Sequence, residues 1–234
     1  MARNQFIDLV RGIDLILMVL FNYSVTLGYF GLIQKPPDFL YSFIFPRAIA
    51  SIFIFLSGVV AYISYENRKN DFSRRYFMRG GKLLIFAAFI TLFTYMFVPE
   101  GTIYFGILHF FAAGSFLVPF FIRYSRMNLV AGVLIILTGV FLQQREFDFP
   151  YLLWLGFMPE NFSTFDYFPL IPWLGVLMLG IYSGKNIAGR TAYIKFENRL
   201  AGIFKLLGEH SLTVYLLHQP VLVILLMVSG FKTF

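Results

Sequence analysis

A chain of 234 residues that is 59% hydrophobic and only 13% charged departs from ordinary soluble domains, which run about 45–50% apolar and about 25% charged. Its 31 Phe residues are more apolar surface than a soluble body of this size hides, whereas lipid accepts them without cost. Cysteine is absent, which excludes disulfides, thiolate metal ligands and a cysteine nucleophile. The formal charge of +7 raises the question of nucleic acid, but on a membrane protein such an excess is usually the cytoplasmic loop bias, and its placement decides.

In chain order, Arg3 and Arg11 precede an apolar run with no small-residue cleavage pattern after it, so the N-terminus reads as a retained signal anchor and the mature chain is expected to begin near Met1. A transmembrane helix needs about 20 mostly apolar residues. Segments that meet or approach this are Ile13 to Ile33, Phe43 to Ser64, Lys82 to Val98, Tyr104 to Ile122, Met127 to Leu142, Leu170 to Ile187 and Leu206 to Gly230. The expected fold class is all-α, a polytopic helix bundle of seven transmembrane helices forming a single integral-membrane domain over residues 1–234.

With the N-terminus in the cytoplasm, the basic residues gather on one side. They are Arg3 and Arg11, then Arg68, Lys69, Arg74, Arg75, Arg79 and Lys82, then Arg123 and Arg126, and finally Lys185, Arg190, Lys195, Arg199 and Lys205. Only Lys35, Arg145 and Lys232 fall opposite, with Arg47 inside the second span. The asymmetry predicts an N-in, C-out topology, a lipid environment and no nucleic-acid partner. The plasma membrane of a prokaryotic cell is the expected location, and a homo-oligomer is left open. Gly180 and Gly184 form a small-xxx-small pair suited to close helix packing.

The outer segment from Gln143 to Pro169 carries Glu146, Asp148, Glu160 and Asp166 among aromatic residues such as Tyr151, Trp154 and Phe157. It is expected to form an interfacial lid or re-entrant segment, because loops of this length are usually functional or disordered and these aromatics disfavour disorder.

An ionisable residue within a span costs about 2.5 to 3.5 kcal/mol even on the lower insertion scales, so it is a functional candidate by default. Asp14 and Asn22 lie on the first span, Arg47 on the second, His109 on the fourth, and His218 with Gln219 on the seventh. At about 1.5 Å per residue, Asn22, His218 and His109 fall about 14, 18 and 22 Å from the cytoplasmic face, a slab about 8 Å thick. Arg47 sits further out, where Asp166 is a candidate counter-ion. Arg11, Met18, Asn22 and Thr26 share one face of the first span, with Tyr29 beyond, a polar stripe that could border a passage. Pro220 removes a donor from Leu216 and is expected to kink the last span beside His218. Arg74, Arg75, Arg79 and Lys82 offer charge suited to a phosphate-bearing ligand, although topology and lipid headgroups account for the same charge. An interhelical structural histidine is as good a reading of His109 or His218, taken singly, as a catalytic one. No Walker, GxSxG or HExxH pattern occurs and the histidines have no zinc spacing, so no metal is expected.

Four stretches in order, "FIDLVRGIDLILMVLFNY" (6–23), "YFGILHFFAAGS" (104–115), "DYFPLIPWLGVLMLGIYSG" (166–184) and "LGEHSLTVYLLHQPVL" (207–222), together resemble the small prokaryotic relatives of the heparan-alpha-glucosaminide N-acetyltransferase catalytic domain, a family of transmembrane acyltransferases. The resemblance implies transfer of an acetyl or other acyl group from cytosolic acyl-CoA to a sugar-like amine or hydroxyl acceptor across the membrane. Asp8, Arg11 and Gly12 match the family's Asp-x-x-Arg-Gly opening, Asn22 its first-span asparagine, Asp166 its aspartate before the sixth span and His218 its last-span histidine. One departure from the family resembled is that its animal enzymes place a histidine eleven residues after that asparagine. Here that position is Ile33, and Asn22 stands where many small relatives carry a histidine.

These readings lead to a scheme in which the CoA phosphates meet Arg11, Arg74, Arg75, Arg79 and Lys82 and the pantetheine arm follows the first-span stripe. His218, or failing it His109, is the general base, since imidazole titrates near physiological pH. Asn22 donates to the developing oxyanion, and Arg47 with Asp166 faces the acceptor. The rival class is a non-catalytic membrane carrier or CoA/metabolite-binding protein using the same polar slab.

Overall fold

The computed structural model describes residues 4–29, 31–33, 38–196 and 198–228. Arg3, Lys35, Lys232 and the end of the seventh predicted span, along with the side chains of Tyr29 and Pro220, lie outside what is described. Among the described residues the chain is helical, with isolated bridges but no strand. The helices are α1 (Gln5–Tyr29), α2 (Phe45–Asn67), α3 (Phe72–Phe97), α4 (Ile107–Phe121), α5 (Ser125–Leu142), α6 (Leu170–Thr191), α7 (Arg199–Glu209) and α8 (Ser211–Val228). A π-helical turn, Leu40–Ile44, leads into α2.

Four stretches are by themselves long and apolar enough to cross a membrane: Leu40–Asn67, Phe72–Phe97, Ser125–Leu142 and Leu170–Thr191. A fifth is added if α7 and the first part of α8 count as one bent span. α4 is apolar but has only 15 residues, about 22 Å at the helical rise.

Two boundaries differ from the sequence expectation. α3 begins at Phe72, so Arg74, Arg75, Arg79 and Lys82 stand on its first turns rather than in a loop. Straight-chain basic residues are good helix formers and simply extend an apolar helix past its hydropathy edge. The last predicted span is broken, and the break is not at Pro220. α8 continues as helix through Pro220, whereas the chain turns by 79° between α7 and α8, at His210. His210 leaves the helical region (φ −102°, ψ 23°), yet its amide still donates to Leu206 and its carbonyl accepts from Val214. The bend therefore keeps a backbone hydrogen bond on each side of His210.

The chain divides into two compact units. The first comprises Met1–Leu56 and Ala188–Phe234, the second Ser57–Ile187. In the first, α1 and α7 approach backbone to backbone. A Cβ on Gly12 would lie 1.8 Å from the Phe204 carbonyl oxygen, and one on Gly208 would lie 1.9 Å from that of Asp8. The Arg-Gly of the opening motif is thus in part a packing device. α7 starts where the Asn198 side chain accepts from the Ala201 amide at 2.7 Å, a normal N-cap. Lys205 ties it further, donating to Gln5 and to the Phe196 carbonyl.

In the second unit α2 packs on α6 through small residues. A Cβ on Gly58 would meet the Leu177 carbonyl oxygen at 2.2 Å, and one on Gly184 would meet Tyr62 at 2.5 Å. The segment between α5 and α6 is folded around an aromatic cluster of Phe147, Phe149, Tyr151 and Phe157. The Tyr167 hydroxyl donates to the Leu153 carbonyl at 2.9 Å, and burial pushes that hydroxyl above its ordinary range.

Candidate functional site

Each unit holds one of the two histidines singled out in the sequence, and their surroundings differ. In the first unit, polar groups of α1 meet those of α8. Arg11 donates to the Ser211 hydroxyl at 3.1 Å, the Tyr23 hydroxyl to the His218 carbonyl at 3.4 Å, and the Thr26 hydroxyl to Gln219 at 3.4 Å. The polar stripe of α1 is therefore partly spent on fastening α8, and Arg11 also lies over the Phe53 ring, 5.3 Å from its centroid.

His218 is 8% exposed. Its Nδ1 stands 2.6 Å from the Tyr215 carbonyl oxygen, which can only accept, so Nδ1 carries the proton. In the neutral ring Nε2 then holds the lone pair. That nitrogen is buried without a hydrogen-bond partner among the described residues.

Asn22 turns back into its own helix. Its Nδ2 donates to the Met18 carbonyl and stands 3.0 Å from the Met18 sulfur, so both amide hydrogens have acceptors, the second a weak one. About two helical turns before Asn22, Asp14 is only 2% exposed, and neither of its carboxylate oxygens has a hydrogen-bond partner among the described residues. Arg47 folds back on the turn before it, donating to the Phe43 carbonyl with its guanidinium 3.5 Å from the Phe43 ring centre.

In the second unit, His109 caps α4. The Thr91 hydroxyl donates to the Ile103 carbonyl at 2.6 Å, leaving its lone pairs toward His109 Nε2 at 3.1 Å, while Nδ1 accepts from the Gly106 amide at 3.3 Å. One neutral tautomer, protonated on Nε2, satisfies all three bonds. Asp166 takes the next amide, its Oδ2 accepting from Ile107 at 2.9 Å. Gly106 must be glycine here, because a Cβ would fall 2.3 Å from that same oxygen. His109 and Asp166, predicted separately, thus cap consecutive amides at one helix N-terminus, where acceptors and negative charge are favoured. Thr91 and Thr94, which fasten this corner to α3, were not singled out in the sequence. Their signal was two hydroxyls, one helical turn apart, in an apolar span.

The basic residues of α3 also separate by role. Arg75 donates to the carbonyls of Ser64 and Arg68, closing the turn after α2. Arg74, Arg79 and Lys82 are exposed. Arg79, its guanidinium 5.6 Å from the Tyr76 ring centre, stands at a small crevice whose lining includes Ser57, Phe111, Ser115 and Leu177. No three His, Asp or Glu side chains converge as a metal site would require, among the described residues.

These features define a helical, multi-pass membrane protein with histidines on its apolar helices. The family model described as heparan-alpha-glucosaminide N-acetyltransferase, catalytic, matches residues 3–220, and the chain belongs to that family. No curated protein and no solved structure matches it.

Proposed function

We propose that the chain is a transmembrane acetyltransferase that moves an acetyl group from cytosolic acetyl-CoA to a sugar-like amine or hydroxyl on the opposite side of the membrane. The observation that carries this reading is the Nε2 of buried His218, which has no hydrogen-bond partner among the described residues, inside the stretch that the family model covers. The acceptor gives its proton to Nε2 as its nitrogen or oxygen attacks the thioester carbonyl. The carbon–sulfur bond then breaks, and the proton passes from the imidazolium to the leaving thiolate, the usual division of labour for a single acid–base group.

Asn22 serves the developing oxyanion by releasing the hydrogen now spent on the Met18 sulfur, the weaker of its two acceptors. Arg11, Arg74, Arg75, Arg79 and Lys82 supply charge for the CoA phosphates, with the exposed side chains of α3 the freest to do so. His109 is an alternative base, although its two nitrogens are engaged. Arg47 and Asp166 are assigned to the acceptor.

Both units belong to one integral-membrane domain on this reading, because the family model runs through both. The seven crossings are α1 to α6 and α8, N-in and C-out. α1, with 25 residues, reaches about 37 Å, more than a hydrocarbon core of about 30 Å. The basic residues gather on one face of that arrangement, as orientation in a bilayer requires. The cell membrane of a prokaryote fits the same arrangement, and assembly into a homo-oligomer is compatible with it.

The test is purified protein with acetyl-labelled acetyl-CoA and a panel of hexosamine acceptors. Label appearing in the acceptor with equal release of free CoA supports the enzyme. Saturable CoA binding with no transfer to any acceptor would replace it with a carrier or a CoA-binding protein.

A further inference from the structure

α7 carries apolar residues on two faces. One face carries Ala201, Phe204 and Gly208 onto α1. On the side turned away from α1, Leu200, Ile203 and Leu206 are 68%, 49% and 57% exposed. At 100° per residue these three centre about 130° from the buried face, and their exposure shows that no described part of their own unit covers them. Tyr193 and Ile194, just before α7, are exposed as well.

Charge identifies the occupant. Arg190, Lys195, Arg199 and Lys205 lie in and before α7, against Glu197 and Glu209, and Arg190, Lys195 and Arg199 are exposed. Direction identifies it too. α7 makes a 79° angle with the start of α8, so if α8 crosses the bilayer, α7 runs nearly along its surface. Apolar side chains on one side, cations at the edge and an in-plane axis are the features of an interfacial amphipathic helix, and cations beside such a helix favour anionic headgroups.

We infer that α7 lies flat in the headgroup layer of the leaflet where α8 begins, with Leu200, Ile203 and Leu206 among the upper acyl chains and Arg190, Lys195 and Arg199 against the phosphates of anionic lipid. The inference rests on α8 being a membrane crossing and is independent of acyl transfer.

The chain has no cysteine, so Leu200→Cys, Ile203→Cys and Leu206→Cys each give a unique site for a nitroxide. The full chain is reconstituted in phosphatidylcholine with a minority of phosphatidylglycerol. Relative collision with oxygen and with a neutral nickel chelate then reports depth, and Leu217→Cys on α8 serves as the reference. Expected are three equal depths, about 5–10 Å below the phosphates, with position 217 deeper, and a shallower reading at all three when phosphatidylglycerol is left out. A depth rising by about 9 Å from 200 to 206 would make α7 part of a crossing and overturn the inference. Three aqueous readings, or three labels shielded from both reagents as under a second protein copy, would overturn it too. Unchanged depth without phosphatidylglycerol overturns the anionic preference. An aqueous reading at 217 instead removes the crossing on which the inference stands.

Discussion

The Nδ1 of His218 stands 2.6 Å from the carbonyl oxygen of Tyr215, one turn back on the same helix. A carbonyl offers no proton, so this contact fixes the tautomer and leaves Nε2 as the ring's open lone pair. His109 has no such opening, since Thr91 and the Gly106 amide take both its nitrogens. The two histidines are equivalent in sequence and unlike in surroundings.

The first prediction concerns His109. His109→Leu leaves the Gly106 amide without its acceptor, at a cost of about 1–3 kcal/mol. A lowered unfolding midpoint in detergent, with transfer per folded molecule kept within a few-fold, is the expected result. A loss of about 100-fold in kcat or more, at unchanged stability, would return His109 to the role of base.

Helix approach in the first unit gives the second. Gly12→Ala and Gly208→Ala place a methyl within 2 Å of the carbonyl oxygens of Phe204 and Asp8, and overpacking of this kind costs about 1–3 kcal/mol. Gly202→Ala, on α7 with nothing within 4 Å, should be neutral or stabilising by up to about 1 kcal/mol. Thermal unfolding of the three variants side by side is the measurement, and equal midpoints would contradict the backbone contact.

How much of this was legible in the sequence depends on the length scale of the signal. Hydropathy located the apolar helices, because about 20 consecutive residues average out local detail. The same averaging hid the turn at His210, where one residue leaves the helical region while hydropathy stays high, and it drew attention to Pro220, which the helix carries without ending. The start of α3 was missed because Arg74, Arg75, Arg79 and Lys82 read as a loop by polarity although their backbone is helical. Asp166 and His109 were marked as separate polar residues. That they cap consecutive amides depends on contacts between residues far apart in sequence, and the N-cap itself is Gly106, which has no side chain to signal it.

The arginines of α3 provide a third prediction. Arg75 closes the turn after α2, so Arg75→Ala should lower stability, whereas Arg79→Ala should leave stability unchanged and raise KM for the acyl donor several-fold, as loss of one cation from a phosphate site does. Paired unfolding and initial-rate measurements distinguish them. Equal effects of the two variants on KM, at equal stability, would contradict the division of roles.

The segment between α5 and α6 should respond to alkali. The Tyr167 hydroxyl is raised by burial, so the folded state holds its proton more tightly than the unfolded state. Its contribution is complete below the ordinary tyrosine value of about 10 and is lost as pH rises above it. Proteolysis within 143–169 should therefore quicken above about pH 10 in the parent, and Tyr167→Phe, lacking the bond to Leu153, should be cleaved faster already at neutral pH. Identical cleavage of the two proteins at neutral pH would show that the bond does not hold the segment.

His218→Gln tests the central claim most directly, with single-turnover acetyl transfer measured alongside equilibrium binding of CoA. The account predicts a loss of about 100- to 10,000-fold in the transfer rate, with CoA affinity and the unfolding midpoint close to those of the parent. Transfer at the parental rate by this variant would contradict it.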